Sequence, residues 1–397
     1  MNISHNYCRG LALMLAMTLI AGSVTYGQDK PSMNIYGFAM LDMGFQSKQN
    51  DPAWFDVLRP TKLPAFENQY GMDGRFFAGV RQSRLGFKGY IPTDLGELRT
   101  IFEFEMFGVG VDAGQTTIRL RHAYGELGDF GAGQYWSPFM DIDVFPNSIE
   151  YWGPSGMAFF RNVQIRWMPI QGDTRMTIAV ERPGASGDGG VYSNRIELMD
   201  IAPRFPYPDV SAEYRMGQDW GYVEGAGIVR YIGWDDLGMQ AGDFEDNVIG
   251  WGVTVSTGIT LGEKNRIHGQ VAYGAGIQNY FNDAPADVGV TMDTSAIGEA
   301  LPVLGAVLFY DHYWSPKWSS SIGYSMVDID NSDGQAASAF KTGHYALVNL
   351  LYYPVPDVMM GGELQYGKRE NNSDGFTSDD LRFQVSFRYS FSQMIGG

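Results

Sequence analysis

Residues Leu381 to Phe391 read LRFQVSFRYSF. Leu381, Phe383, Val385, Phe387, Tyr389 and Phe391 are apolar, and Arg382, Gln384, Ser386, Arg388 and Ser390 between them are polar. Strict alternation over eleven residues gives a strand one oily face and one wet face, because successive side chains point to opposite sides. The oily face here is mostly aromatic.

A near-terminal strand ending on an aromatic residue is similar to the sorting signal of bacterial outer-membrane barrels, although Ser392 to Gly397 follow it. The other end of the chain agrees. Arg9 precedes an apolar run, Leu11 to Ile20, and small residues lead to Thr25-Tyr26-Gly27. A basic start, a short apolar core and a small-residue cleavage site describe a secretory signal peptide. The run is too short for a membrane-spanning helix, which needs about 20 apolar residues. The expected organisation is a signal peptide over 1–27 and one barrel domain over 28–397. Cys8, the single cysteine, lies within the signal, so the mature chain offers no disulfide and no thiolate metal site.

A net charge of −17 argues against nucleic acid as a partner. Fifty-one glycines and 14% aromatic residues go with strands, turns and interface rings rather than helices. Mean hydropathy of −0.19 suits a barrel whose inward residues meet a wet lumen. Sixteen candidate strands run from Met33–Phe45, through Arg75–Tyr90, Gly131–Trp136 and Asp209–Met216, to Asp380–Phe391. Short connectors such as Ser315–Pro316 and Pro354–Asp357 alternate with long ones such as Gln46–Gly74, Ser137–Phe159, Pro183–Pro208 and Asn279–Pro302. The fold class expected is all-β: a transmembrane antiparallel β-barrel of about sixteen strands with short periplasmic turns and long outer loops.

Parity assigns faces. Leu85 and Phe87 point to lipid, so Gln82, Arg84 and Lys88 point to the lumen. On the next strand Phe102 and Phe104 face out, and Arg99, Glu103 and Glu105 face in. Ile118, Leu120 and Tyr124 face out against Arg119 and Arg121; Val163, Ile165 and Trp167 face out against Asn162, Gln164 and Arg166. Arg81 shares the parity of Leu85, which points to a bulge, a position above the bilayer or a subunit contact. His122 also falls on the outer face. Tyr90, Trp167, Tyr214, Trp220, Trp314, Trp318, Tyr352 and Phe391 are expected to form the periplasmic aromatic girdle.

The third outer connector, Ser137–Phe159, contains PFMDIDVFPNSIEYWGP. A loop this apolar packs inward rather than extending into water. Folded into the barrel as a constriction loop, it would set Asp141, Asp143 and Glu150 opposite a pore-lining basic wall of Arg84, Lys88, Arg99, Arg119, Arg121 and Arg166. Opposed charges at a constriction select solutes by sign. The alternative role for these arginines is to neutralise Glu103, Glu105 and Glu126 within the wall.

RQSRLGFKG at Arg81–Gly89, RLRHAYGELG at Arg119–Gly128, GQYWSPFMD at Gly133–Asp141, WGPSGMAFFRNVQIRW at Trp152–Trp167, YGAGIQNYFND at Tyr273–Asp283 and PVPDVMMGGELQYGKREN at Pro354–Asn371 together resemble the DcaP-like trimeric outer-membrane porins. The resemblance spans Phe76 to Phe391. It implies a homotrimer of sixteen-stranded barrels in the bacterial outer membrane, passing small anions, dicarboxylates among them. Its partners would be outer-membrane lipid, lipopolysaccharide and the barrel assembly machinery, with no cofactor. His122, His268, His312 and His344 sit in no nucleophile or metal spacing, so a non-enzyme is expected. The competing class is a non-transport barrel, either plugged or carrying a lipid-facing hydrolase site.

Overall fold

The computed structural model describes residues 30–195, 200–238, 244–291 and 298–397; the expected signal peptide lies outside them. Sixteen barrel strands follow in chain order: β1 (Ser32–Gln46), β2 (Arg75–Gly79 and Arg84–Thr93), β3 (Gly96–Phe107), β4 (Thr116–Leu127), β5 (Phe130–Trp136), β6 (Arg161–Ile170), β7 (Arg175–Glu181), β8 (Asp209–Gln218), β9 (Gly221–Asp236), β10 (Asp246–Leu261), β11 (Asn265–Ala275), β12 (Pro302–Ser315), β13 (Trp318–Ile329), β14 (Phe340–Val355), β15 (Val358–Asn371) and β16 (Thr377–Gly396). Each pairs antiparallel with the next, and β1 closes on β16 from Ser32↔Gly396 to Gln46↔Arg382. Closure leaves no free sheet edge along the seam, as hydrocarbon requires. The final strand runs past Phe391 to Gly396, so the residues beyond the expected end complete the seam instead of trailing from it.

The opening stretch behaves as its alternation dictates. Arg382, Gln384 and Ser386 are buried inside, while Leu381, Phe383, Tyr389 and Phe391 are exposed on the outer wall. Trp167, Tyr214, Trp220, Trp314 and Trp318 are likewise exposed near the short-turn end.

Seven connectors at one end contain two to four residues, and those at the other end include 47–74, 137–160, 182–208 and 276–301. Tight turns need left-handed backbone, which Gly128 (φ 58°) and Gly262 (φ 66°) supply. A tag inserted at Asn331 or Asn372 is expected to be reachable by antibody on intact cells, and one at Pro356 is not. Surface labelling at Pro356 would invert the topology.

Two local irregularities correct the parity reading. The ladder of β2 breaks between Gly79 and Arg84. Ser83 bridges the break, its hydroxyl accepting from the Met40 amide at 3.0 Å. Arg81 turns inward there and is 1% exposed. It is paired with Asp56 and donates to the carbonyls of Gly108 (2.8 Å) and Gln115 (3.0 Å). Of the three explanations offered by its sequence position, the bulge holds and the subunit contact does not.

The second irregularity is in β4, where the register against β3 slips between Glu103↔His122 and Phe104↔Leu120. An extra residue in one strand reverses every side chain beyond it. Arg119 and Arg121 therefore stay inward, and His122 and Tyr124 also turn inward, contrary to the expectation from alternation. Both are buried, His122 against Tyr135 and Trp136 and Tyr124 against Tyr135.

Candidate functional site

The constriction loop leaves β5 at Ser137 and crosses the lumen. Its apolar residues are what sink it: Phe139, Val144, Ile149 and Met157 are fully buried among side chains from the inner wall and from outer loop 47–74. Polar wall residues then satisfy its backbone. Glu363 accepts from the Ile149 amide (3.1 Å) and the Ser148 hydroxyl (3.0 Å). Gln82 and Gln384 both donate to the Ile149 carbonyl, and Gln270 accepts from the Ala158 amide at 2.7 Å. The His268 ring sits 2.7 Å from the Asp143 carbonyl and 2.9 Å from Asp311, which also accepts from the Asn147 amide. A loop tied to strands around the barrel narrows the lumen and stays where it is put.

The acidic residues of this loop do not face the expected wall. Asp141 accepts from Arg215 on β8, Tyr222 on β9 and Ser256 on β10, each at 2.6 Å. Asp143 pairs with the same Arg215 at 2.5 Å. Glu150 accepts backbone amides from Leu58 and Gly153, and its complete burial pushes its carboxyl up to about 8 against the pull of Arg382 and those two donors. These carboxylates pin the loop to the opposite wall and to outer loop 47–74. The reason is local: Arg215 and the hydroxyls of β9 and β10 lie directly beneath the loop's first turn.

What faces the loop across the remaining space is arginine. A cavity of about 730 Å³ is lined by Arg59, Arg84, Arg119, Arg121, Arg161, Arg182 and Arg388, with Glu150 the single acidic lining residue among those described and Phe38, Phe145, Tyr151 and Trp152 among its aromatic ones. Four of the arginines surround two buried glutamates. Arg121 binds Glu103 and Glu105 at 2.6 Å each, and Arg84 lies 3.6 and 3.5 Å from the same pair. Arg119 and Arg161 reach Glu105 at 3.5 and 4.0 Å. Tyr36 donates to Glu103 at 2.8 Å, a reach possible because a Cβ on Gly86 would strike its ring at 2.3 Å. Neutralisation and excess thus coexist: the glutamates hold the arginines in place and leave the group with surplus positive charge. Arg59 lies between the Trp54 and Trp152 rings (4.3 and 4.0 Å) and is paired with Asp283 at 2.8 Å. Among the described residues, Arg182 and Arg388 have no carboxylate within ion-pair distance.

Of the six basic residues expected along the pore, Arg84, Arg119 and Arg121 line this cavity. Arg166 does not; it donates to Gln164 and the Trp136 carbonyl and lies over the Tyr124 and Tyr135 rings. Arg99 is half-exposed near the short-turn end beside Glu97 and Glu126, and Lys88 lies 5.1 Å from the Tyr36 ring. Arg59, Arg161, Arg182 and Arg388 were not singled out. Arg388 was legible as an inward position of β16. Arg161 and Arg182 have the parity of Val163 and Val180, which face out, so alternation concealed them.

Known proteins place this geometry. The DcaP outer membrane protein family matches residues 65–391. The outer membrane channel DcaP of Acinetobacter baumannii is similar over 93% of this chain and 100% of its own, at 20% identity and a TM-score of 0.75. The anion-selective porin from Comamonas acidovorans superposes over 91% of this chain and 100% of its own (13% identity, TM-score 0.59). OmpF of Salmonella typhi, solved with daunomycin, does so over 90% and 97% (12% identity, TM-score 0.54). None of the curated proteins matches. With a closed sixteen-stranded barrel narrowed by an inward loop, and a family match over most of its length, the chain belongs to the DcaP outer membrane protein family and is a porin of the bacterial outer membrane.

Proposed function

We propose that this porin is a passive diffusion channel preferring small anions, mono- and dicarboxylates in particular, and that it works as a homotrimer, as the family resemblance implies. The observation that carries the selectivity is the lining of the cavity, with seven arginines and a single carboxyl group whose burial favours its neutral form. The chain's overall negative charge does not oppose this. Asp283 and Asp287 are neutralised by Arg59 and Arg230, and carboxylates such as Asp330, Asp333 and Asp374 lie in outer connectors, where a Debye length of about 8 Å at physiological salt screens them from the narrow region. Guanidinium groups present planar paired donors that match carboxylates, and the aromatic rings between them keep the surface from filling with counter-charge.

The direct test is the reversal potential of the purified channel in a salt gradient. Arg182 and Arg388 are the positions to change, since neither holds a buried glutamate. Each attracts a monovalent anion by about 1 kcal/mol at 4 Å even in bulk water. After screening, replacing both with Gln is expected to move the reversal potential toward cations and to lower dicarboxylate flux by about tenfold. A wild-type channel that prefers cations would end the proposal.

A further inference from the structure

Asp283 sits among donors arranged for a carboxylate. The short turn Pro60–Lys62 of outer loop 47–74 supplies them. Asp283 Oδ1 accepts from Arg59 Nε at 2.8 Å and from the Thr61 hydroxyl, with Arg59 Nη2 also 2.8 Å away. Its Oδ2 accepts from the Thr61 amide at 3.0 Å. The guanidinium lies over the Trp54 and Trp152 rings, at 4.3 and 4.0 Å, which hold the cation in place with or without a partner. Nothing in this donor set is particular to aspartate. A planar guanidinium with an amide and a hydroxyl beside it recognises any carboxylate.

Neither loop depends on this pair for its place. Loop 47–74 is fixed to the wall through the Arg81–Asp56 pair and through three of its carbonyls. Arg369 donates to Thr61 (3.3 Å), Asn371 to Ala65 (2.8 Å) and the Ser378 hydroxyl to Pro64 (2.7 Å). On the facing side the Asn282 amide donates to the Met157 carbonyl at 2.9 Å, the Asn282 side chain donates to the Trp152 and Pro154 carbonyls, and Asp287 pairs with Arg230 at 3.0 Å. With the backbone anchored before and after it, Asp283 can release Arg59 by turning its side chain alone. Arg59, Asn282 and Ala284 all line the arginine cavity. Among the described residues Arg59 Nη1 has no hydrogen-bond acceptor, so a second carboxylate can meet the guanidinium from the cavity before Asp283 leaves.

We infer that Arg59 and Thr61 form a carboxylate-binding site at the outer entrance of the solute path, with Asp283 as its tethered competitor. An entering carboxylate takes the place of Asp283, and the return of Asp283 passes it on toward Arg84, Arg119 and Arg121. A site in a channel must bind well enough to be entered and weakly enough to be left. An arginine with no competitor would retain a dicarboxylate. A tethered carboxylate competes at an effective concentration on the order of millimolar and keeps each occupancy short. The inference rests on reading the cavity as an anion path, and it adds the residue that releases the anion.

The test is the block of chloride current by succinate, measured on the purified full-length porin in planar bilayers. Asp283→Asn keeps an acceptor for the Thr61 amide and removes the competing charge. The succinate concentration that halves the current is expected to fall about tenfold. Adding Arg59→Gln to the same chain should cancel that gain, because the two residues act at one site. Arg59→Lys keeps the charge but not the paired donors, so it should weaken the block and leave the reversal potential as in the wild type. A half-blocking concentration unmoved by Asp283→Asn would overturn the inference, and so would a fall that survives Arg59→Gln. Should the Asn variant not fold, Arg59→Lys decides: a block of wild-type strength removes the site. Reversal potential on the same channels separates this from selectivity. An anion-preferring channel with an unmoved half-block loses the site and keeps the anion reading. A cation-preferring channel ends the anion reading, and a tenfold fall there keeps the site.

Discussion

Replacing Arg121 with Gln is expected to destabilise the folded barrel by about 3 kcal/mol, visible as a lower urea midpoint for loss of the compact, fast-migrating form on a cold gel. Arg121 is the one arginine within 2.6 Å of both Glu103 and Glu105, and the Glu105 side chain is fully buried. Removing one member of a buried ion pair leaves the other charged and desolvated, at a cost of about 3–5 kcal/mol. Arg84, Arg119 and Arg161 remain at 3.5–4.0 Å from Glu105, which holds the loss to the lower end. Adding Glu105→Gln to the same chain removes the stranded charge and should restore a large part of the midpoint. A midpoint unchanged in the single variant would mean that the cluster is solvated and the ion pairs contribute little.

Asp141→Ala should free the first turn of the constriction loop. Asp141 is the shared acceptor for Arg215, Tyr222 and Ser256. Arg215 keeps Asp143 and Glu224 as partners, but the Tyr222 and Ser256 hydroxyls lose an acceptor in a buried site. At about 1–3 kcal/mol for each of the two stranded donors, the turn loses about 2–6 kcal/mol of local stability while the barrel itself stays closed. The expected result is a single-channel current with added noise and brief sublevels, and Asp141→Asn, which keeps one acceptor oxygen, should fall between the two. Quiet currents of wild-type size from the Ala variant would show that the Ile149 and Glu363 anchors alone hold the loop.

Both predictions concern residues whose partners could not be inferred from spacing. The barrel itself was legible, because a membrane strand must alternate and its turns must be tight. The faces of Arg382, Gln384 and Ser386, the sixteen strands and the inward loop 137–159 all followed from period-2 patterning and the apolar character of PFMDIDVF. Tertiary structure decided the rest. One inserted residue at Arg121–His122 reversed the faces of His122 and Tyr124, since register is cumulative and a bulge leaves no mark in an alternation that continues on either side. Arg161 and Arg182 line the cavity although they share the parity of outward Val163 and Val180, because both stand at strand ends beside the constriction loop, whose inward course is held by contacts from Gln270, Glu363 and Gln384 far along the chain. Asp141 took Arg215, some seventy residues away, in preference to the basic wall. Alternation records which face of a strand meets water; only the closed barrel determines which charges share that water.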